Sequence, residues 1–293
     1  MPQRVASPDL TFSSLVLTDY FALLGLMAPS FLIVVPTLDS YLILPRLVSS
    51  LQAQSWSLWR VLFVDGPSSP EHRQWLEACC KAEPRCSWIE QNPAQPGIFG
   101  AMNQGFLSAR PSEWLFFWGS DDWAAAPTVF SDVAATLEDS FSNYITPDLF
   151  VCRGRYVGDV CGSLLRRTTF RRAGVIDASV YRHALLFGST PPHQATLFGL
   201  GARQRLNTYA HGFRLSADLD YFLRLSGYPD LCVQCSDIEL VHMSDGGVSG
   251  QQTSRRLKEV RHAYYRAFGW YWFIPFLMRY LKRLISLFNR TYY

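Results

Sequence analysis

The stretch "WLFFWGSDDW" (residues 114–123) joins a run of apolar and aromatic residues to two adjacent carboxylates. The run is typical of a buried strand, and the Gly-Ser pair that follows it is typical of a turn. Two carboxylates at the end of a buried strand are costly to desolvate unless a positive group lies beside them. Asp121 and Asp122 therefore predict either a bound divalent cation or, as the alternative, a pair that caps a helix N-terminus.

On both sides of this stretch, short apolar runs alternate with helical periodicity. Strands are expected at residues 31–35, 59–64, 87–91 and 113–119, and helices at 43–54, 70–82, 100–110 and 127–138. This alternation predicts an α/β fold with a mostly parallel central sheet flanked by helices. Polar residues follow the strand ends, at the edge where open α/β sheets bind ligands.

The composition fits a folded chain of 293 residues, because it includes 20 Phe, 14 Tyr and 9 Trp. The net charge of +3 is unevenly distributed, since residues 251–293 carry nine Lys or Arg and one Glu. We therefore divide the chain into an extension (1–30), one α/β domain (31–250) and a basic tail (251–293). Seven cysteines with a single CxxC pair favour free thiols in a reducing cytosol over a metal centre.

Within the tail, residues 268–290 have the pattern of an amphipathic helix. Its apolar stripe consists of Phe273, Leu277, Leu281, Leu284 and Phe288. Such a stripe, with aromatic residues at its start and basic residues opposite, is typical of a helix that lies in a membrane surface. The alternative is a helix docked on the domain. No apolar run reaches the roughly 20 residues of a spanning helix, and nothing besides charge indicates nucleic-acid binding, so we expect neither.

The carboxylate pair is chemically suited to Mg²⁺ or Mn²⁺. These ions take one or two protein carboxylates and complete their shell with water and substrate phosphates, so they can neutralise a diphosphate leaving group. Neither a Walker A loop nor a GxGxxG fingerprint occurs in the chain. His242 precedes the glycine-rich "DGGVS" (245–249) and is a further candidate contact for a metal or phosphate.

Several sequence blocks resemble, in the right order, the family 2 glycosyltransferases, which are nucleotide-sugar-dependent enzymes with a GT-A fold. "VVPTLD" with "SSLQAQSW" resembles the family's opening strand, turn and helix, and "FVDGPSSP" resembles its "VDGSTD" strand end. "GIFGAMNQGFLSA" followed by "WLFFWGSDD" is the most specific match. "PHQATLF", "GFRLSADLDYFLRL" and "DGGVS" resemble later blocks, so that the resemblance covers roughly residues 31–250.

The resemblance implies a role for each matching residue. The positions that would bind the nucleotide sugar are Pro36, Asp39, Asp65, Asn103, Asp121, His193 and Gln194. Among them, Asp65 would contact the base, and Asp121 would contact the ribose or the shell of the metal. Asp122 would ligate the metal, and Asp218 would be the catalytic base. His242 is added as a metal ligand from its position before the "DGGVS" turn and not from the resemblance.

Asp218 is also a candidate from reaction chemistry, because a carboxylate can take the proton of an attacking hydroxyl. Such a base must lie opposite the leaving diphosphate and therefore comes from a different segment than Asp122. Asp220 is the rival base, and helix capping is the structural alternative for Asp218. The chain departs from the family at two positions: Gly100 replaces an Asp, which puts the donor sugar in question, and Asp39 replaces the usual Asn.

These features predict an inverting glycosyltransferase that moves a sugar from a nucleotide diphosphate, with UDP favoured, to a hydroxyl group. The tail favours a glycan or lipid-linked acceptor in envelope or extracellular polysaccharide synthesis, and a cytoplasmic location at the inner face of the membrane. The alternative is a catalytically inactive nucleotide-sugar-binding or scaffold protein. A sugar-phosphate nucleotidyltransferase is disfavoured, because "PTLDS" stands where such enzymes have a glycine-rich basic loop.

Overall fold

A computed structural model describes residues 28–158, 164–168, 170, 172–244 and 253–288 of the chain. The predictions for residues 1–27 of the extension, for the "DGGVS" turn and for residues 289–290 of the tail helix lie outside the described residues. Ser30, the last residue of the predicted extension, already begins the first strand.

Strands and helices alternate along the described chain, and the predicted N-terminal elements are present with ends that differ by a few residues. The strands are β1 (Ser30–Thr37), β2 (Trp59–Asp65), β3 (Cys86–Glu90), β4 (Glu113–Phe117), β5 (Trp123–Ala124), β6 (Leu149–Val157), β7 (Leu164–Arg167), β8 (Gly174–Asp177), β9 (Thr196–Phe198) and β10 (Cys232–Ser244). The α-helices are α1 (Leu44–Gln52), α2 (Pro70–Ala82), α3 (Ile98–Ser108), α4 (Val129–Ser142), α5 (Ala178–Leu186), α6 (Leu200–Arg205), α7 (Ala217–Leu225), α8 (Thr253–Phe268) and α9 (Phe273–Phe288). Two short 3₁₀ helices span His193–Ala195 and Gly269–Tyr271.

The described strands form one sheet in the order β3-β2-β1-β4-β9-β6-β10-β5, with β7 beside β6 and β8 beside β10. β1 pairs in parallel with β2 and β4, and β2 pairs in parallel with β3. This half of the sheet is parallel because a helix crosses over between successive strands. β9 runs antiparallel between β4 and β6, so the other half is mixed. The predicted α/β fold is confirmed.

Helices cover both faces of the sheet. Leu32 and Val34 of β1 belong to a core shared with α3, α5, α7 and α8. Phe31, Ile33 and Val35 belong to a second core shared with α1 and α4. Successive strand residues point to opposite faces. Because each face is buried, the strand is a continuous apolar run in the sequence rather than an alternating one.

The first part of the predicted tail, α8, is packed on α7 through buried charged groups. Glu259 of α8 accepts hydrogen bonds from the backbone amides of residues 214–216, at 2.8–3.1 Å. Arg266 Nη1 donates to Asp220 Oδ1 at 2.7 Å. These bonds fix the loop that leads into α7, and the tail therefore contributes to the position of that helix.

The second part of the tail, α9, is amphipathic as predicted, but its apolar side faces solvent. Phe273, Leu277 and Leu281 are 42%, 58% and 46% exposed. Arg279 and Lys282 instead turn to the protein and donate to hydroxyl groups of the loop after α5. The helix is thus attached to the domain by these basic side chains and by Phe276, which packs against the core.

The remaining members of the predicted stripe, Leu284 and Phe288, have side chains outside the described part of the structure. Among the described helices, none is long and apolar enough to cross a membrane. α9 instead lies along α8 and α5.

α3 lies very close to β1 because residue 105 is glycine. A Cβ atom at Gly105 would lie 2.6 Å from Cγ2 and 2.8 Å from Cγ1 of Val34. Val34 is fully buried, and its branched side chain has little rotamer freedom with which to move away. This contact sets the distance of α3, and therefore of Asn103, from the sheet.

We predict that Gly105→Ala destabilises the protein by about 1–2 kcal/mol, because overpacking outweighs the gain in helix propensity. Denaturant unfolding measures the effect. Val34→Ala makes room for the new methyl group, so the double variant should lose less stability than the sum of the two single variants. Strictly additive losses would contradict the close contact.

Candidate functional site

The carboxyl ends of several strands meet at one edge of the sheet. The register of β1 with β2 aligns their last residues, Thr37 and Asp65, and β4 ends beside the same part of β1, where Phe117 pairs with Val34. Just after β4, Ser120 Oγ donates to the carbonyl oxygen of Pro36 at 3.0 Å. At the end of β10, Ser244 Oγ donates to the carbonyl oxygen of Asp121 at 3.3 Å. The predicted donor and metal residues on these strands are therefore neighbours.

Asp122 is buried in the turn after β4, where its side chain folds back over Gly119. The amide of Gly119 donates to Asp122 Oδ2 at 2.6 Å. A Cβ at position 119 would lie 2.7 Å from Asp121 Oδ1 and 3.3 Å from Asp122 Oδ2, so the turn requires glycine there. Burial, with a further contribution from Asp121, raises the pKa of Asp122 well above its usual range. A nearby cation would offset both effects.

The helix-capping alternative for the pair does not hold, because the next helix, α4, begins only at Val129 and has Thr128 at its N-cap position. The residues instead fit a divalent ion. Within the described ranges, no three His, Cys, Asp or Glu side chains form a group that could hold a metal by themselves. Asp121 and Asp122 are hard oxygen donors, and a shell with few protein ligands is usual for Mg²⁺ or Mn²⁺ shared with substrate phosphates.

His242 lies beside the carboxylate turn. It is in register with Trp123 on β5, and the two rings meet edge to face at 5.6 Å. Its Nε2 is 3.0 Å from Glu239 Oε1, which leaves Nδ1 as the nitrogen available to a metal or phosphate. The guanidinium of Arg46 stacks over the Trp123 ring at 3.0 Å, a cationic contact that the sequence did not single out.

Asp65, the predicted base contact, is 1% exposed. Thr37 and Ser68 donate hydroxyl hydrogen bonds to its Oδ1, at 3.0 and 2.7 Å, and His72 Nε2 lies 3.1 Å from the same atom. Arg73 Nε is 3.5 Å from Oδ2, which has no hydrogen-bond partner among the described atoms. The carboxylate therefore holds the turn after β2 together, and Oδ2 is the atom with capacity for a further donor.

Asp39 connects the first two strand-end turns. The amide of Ser69 donates to Asp39 Oδ1 at 2.8 Å, which lowers the pKa of Asp39, and the amide of Asp39 donates to Ser68 Oγ at 3.0 Å. The backbone at Asp39 is left-handed, with φ of 47°. Asn and Asp are the side chains that tolerate this conformation best, so Asp can replace the usual Asn without a change of backbone.

Asn103 and His193 belong to one buried network centred on Tyr209, which the sequence did not single out. The amide of Tyr209 donates to Asn103 Oδ1 at 2.7 Å, and Asn103 Nδ2 donates back to the Tyr209 carbonyl at 3.4 Å. The Tyr209 hydroxyl lies 2.6 Å from His193 Nε2, and the His193 ring stacks on Phe117 at 5.5 Å. Burial lowers the pKa of His193, although nearby Asp218 raises it.

This network ties α3, the end of β4 and the loop before α7 together. Asn103 and His193 therefore act on the site by positioning its walls. Gln194 follows in the same 3₁₀ turn, where its carbonyl accepts a hydrogen bond from Trp118 Nε1 at 3.0 Å. Its side chain is half-buried and forms no hydrogen bond within the described part of the chain.

The two candidate bases on α7 have very different surroundings. Asp220 is 1% exposed and lies between Arg224 Nε at 2.9 Å and Arg266 Nη1 at 2.7 Å. Both of its carboxylate oxygens accept hydrogen bonds from guanidinium groups, so neither faces an acceptor hydroxyl freely. Asp218 is half-buried and accepts no hydrogen bond within the described residues. The N-cap position of α7 is occupied by Ser216, so Asp218 does not cap the helix. The geometry favours Asp218.

Gly100, where the family has Asp, is explained by the loop before α3. A Cβ at this position would lie 1.8 Å from the carbonyl oxygen of Gln95. Gln91 Nε2 fixes that loop by donating to the carbonyls of Gln95 and Gly97, each at 2.7 Å. The loop therefore lies directly on α3, and it leaves no space for a side chain at Gly100.

A cavity of about 530 Å³ lies at the opposite edge of the sheet from the carboxylate pair. It is lined by residues at the amino ends of strands, including Trp114, Asp148 and Cys232. Because Asp122 and Asp218 do not line it, size alone does not identify the site here.

The comparison with known proteins agrees with this geometry. Residues 32–174 match the family model described as glycosyl transferase family 2. A curated relative, the PGL/p-HBAD biosynthesis glycosyltransferase of Mycobacterium bovis, is 28% identical over 225 residues, which are 76% of this chain and 80% of the relative.

Solved structures show the same fold at low sequence identity. TarS 1–349 of S. aureus in complex with UDP-GlcNAc has a TM-score of 0.59 and 16% identity, with 82% of this chain and 67% of that chain covered. In the longer TarS structure, the match covers 39% of the TarS chain. Glucosyl-3-phosphoglycerate synthase of Mycobacterium tuberculosis has a TM-score of 0.53 and 13% identity, with 91% and 87% covered.

The fold is thus the GT-A fold, and its strand ends carry the carboxylate turn that the family resemblance implies. The matched residues 32–174 include β1, the "WLFFWGSDD" segment and every element between them. Residues 32–174, just under half of the chain, therefore match glycosyl transferase family 2.

Proposed function

We propose that this glycosyltransferase is a metal-dependent, inverting hexosyltransferase that transfers a sugar from a nucleotide diphosphate, UDP favoured, to an acceptor hydroxyl. The observation that carries the proposal is the Asp121–Asp122 pair at the carboxyl edge of the sheet, in which Asp122 is buried and its pKa is raised. A third carboxylate, Asp218, comes from a different segment and accepts no hydrogen bond among the described residues.

In this mechanism, one set of residues acts on the leaving diphosphate and another acts on the acceptor hydroxyl, which is the nucleophile. Mg²⁺ or Mn²⁺, when bound, supplies the positive charge that stabilises the departing diphosphate. Asp122, with His242, would hold the ion, and Asp121 would contact the ribose or the shell of the ion. Asp218 accepts the proton of the acceptor hydroxyl as its oxygen bonds to the anomeric carbon. A single displacement of this kind inverts the anomeric configuration.

The donor pocket is formed by the turns around the carboxylate pair. Pro36, Asp39 and Asp65 line the nucleotide side, where Asp65 Oδ2 retains acceptor capacity. Asn103, His193 and Gln194 belong to the sugar side, and the first two act through the Tyr209 network. UDP is favoured because TarS was solved with UDP-GlcNAc and the mycobacterial synthase with UDP and Mn²⁺. A mannosyltransferase of Pyrobaculum calidifontis was solved with GDP-Man and Mn²⁺, so GDP is the competing donor class.

The acceptor is a glycan or a lipid-linked molecule of envelope or extracellular polysaccharide synthesis. The name of the curated relative, a PGL/p-HBAD biosynthesis glycosyltransferase, supports an acceptor of this kind. A second support is the exposed apolar side of α9, where Phe273, Leu277 and Leu281 are exposed, together with exposed Trp270 in the 3₁₀ helix before it. We propose that this surface contacts the inner face of the membrane and brings the enzyme to its acceptor.

We predict that Asp122→Asn weakens the metal-dependent binding of UDP by at least about tenfold. Calorimetric titration of UDP and GDP with and without Mn²⁺ measures this, and Asp132→Asn on the exposed side of α4 is the matched control. Without metal, the variant should be no less stable than the wild type, because it removes one of two adjacent carboxylates. Equal binding of UDP to the variant and the wild type would contradict the proposed metal site.

We predict that Asp218→Asn lowers the rate of UDP release from a bound UDP-sugar about 10²- to 10⁴-fold while UDP affinity stays unchanged. Asp220→Asn is the comparison on the same helix, and it should act mainly by lowering the unfolding temperature, because it weakens two buried ion pairs. If neither the wild type nor the variant releases UDP although both bind it, the inactive scaffold is the correct alternative.

We predict that replacing Leu277 and Leu281 by serine reduces co-sedimentation with anionic lipid vesicles by about tenfold without lowering the unfolding temperature. Leu107→Ser is the matched control, because Leu107 is 78% exposed on α3, away from the tail. Vesicle binding that is unchanged by the double substitution would show that α9 does not contact the membrane.

A further inference from the structure

A cavity of about 340 Å³ lies between the loop before α3 and the loop before α7. Its lining includes Gly97, Phe99, Asn103, His211, Arg214 and Arg255. None of the predicted metal or base-contact residues lines it. It is therefore distinct from the proposed metal and base-binding positions, and it adjoins the sugar side of the donor pocket through Asn103.

The charged side chains of this cavity are all basic. Arg214 and His211 are exposed, and Arg255 reaches the cavity from α8 with its side chain 44% exposed. Among the described residues that line it there is no Asp or Glu. Arg255 donates to Glu259 through Nε at 3.1 Å, which orients the side chain and leaves its terminal nitrogens for another acceptor.

The nearest carboxylate of the tail, Glu259, is already engaged. It accepts three backbone amides of residues 214–216 as well as Arg255 Nε. These bonds fix the backbone at Arg214, while its side chain is exposed. Glu259 pairs with Arg255, so Arg214 supplies the guanidinium of this cavity for which no carboxylate partner is found among the described lining residues.

Gly100, which stands where the family has Asp, lies in the wall of this cavity. The substitution therefore changes the charge of the cavity wall. The loop at Gln95 occupies the space where a side chain would begin, at 1.8 Å from a Cβ. The acidic side chain of the family is thus absent from a wall that faces two arginines. Its absence removes a repulsion that an anionic ligand would meet.

The other walls are aromatic and apolar. Phe99 is half-buried against Tyr209 at 5.0 Å, and Phe213 packs on His262 at 5.6 Å. A cavity with apolar walls and guanidinium groups is complementary to an anion attached to an apolar body.

We infer that this cavity is an acceptor subsite that binds an anionic group, a phosphate or a carboxylate, carried on the aromatic or lipid part of the acceptor. The inference rests on the proposed function. Arg214 lies four residues before Asp218 in the sequence. Tyr209 connects the cavity wall to His193, which is close to Asp218. An acceptor anchored by its anion would therefore present its hydroxyl to the proposed base.

The test uses phenyl phosphate and benzoate as probes, with benzyl alcohol as the neutral analogue. Calorimetry on the full chain saturated with UDP and Mn²⁺ should detect one of the two anions and not the alcohol. Arg214→Gln and Arg255→Gln should each weaken that binding by at least about tenfold, while UDP affinity changes less than about twofold. Lys258→Gln, an exposed position of α8 outside the cavity, is the matched control and should change neither.

Unfolding temperatures of the variants separate lost binding from lost folding, and Arg214 is exposed enough that its replacement should be tolerated. Three results would overturn the subsite: no binding of either anion, binding that both arginine variants retain, or displacement of the anion by UDP. Anion binding in a protein that binds no nucleotide would contradict the proposed function and leave the anion site standing. The preferred probe distinguishes a phosphate-bearing from a carboxylate-bearing acceptor.

Discussion

The structure depends on the burial of Asp122 beside Asp121. A carboxylate that is 3% exposed and has a second carboxylate next to it is unfavourable in its ionised form unless a cation is present. The turn that contains the pair is nevertheless specified in detail, since Gly119 provides both the space and an amide hydrogen bond. A costly group held in a specified geometry indicates binding rather than folding as the reason for its presence.

The acceptor side is organised by a different principle, namely hydrogen bonds between segments far apart in sequence. Asn103 holds the backbone of Tyr209, and Tyr209 in turn holds His193. Glu259 from the tail fixes the loop before α7, so the helix that carries Asp218 is positioned from outside the matched family region. The tail is thus part of the site's support, while the apolar side of α9 remains free for contact with a surface.

Most of the fold could be predicted because the hydrophobic pattern of each N-terminal element is complete within its own segment. Phe31 to Val35 form a continuous apolar run because both faces of β1 are covered. β9 was indicated only by the resemblance of "PHQATLF" to a family block, because three residues between a 3₁₀ turn and α6 are too few for a periodic pattern. Glu259 is conspicuous in the sequence as the one acidic residue of the basic tail. Its role could not be predicted, because it accepts hydrogen bonds from backbone amides, which leave no side-chain pattern.

The sequence by itself determined the α/β class, the carboxylate turn and the family resemblance, because these reside in local periodicity and in blocks of contiguous residues. It favoured Asp218 over Asp220 as the base only through that resemblance, since two residues on one helix have equal chemistry in isolation. Tertiary structure decided that Arg224 and Arg266 pair with Asp220, and this contact supports the proposal of Asp218. It also decided that α9 turns its basic side chains to the protein and its apolar side outward. Both depend on what packs against each side chain, which only the folded chain specifies.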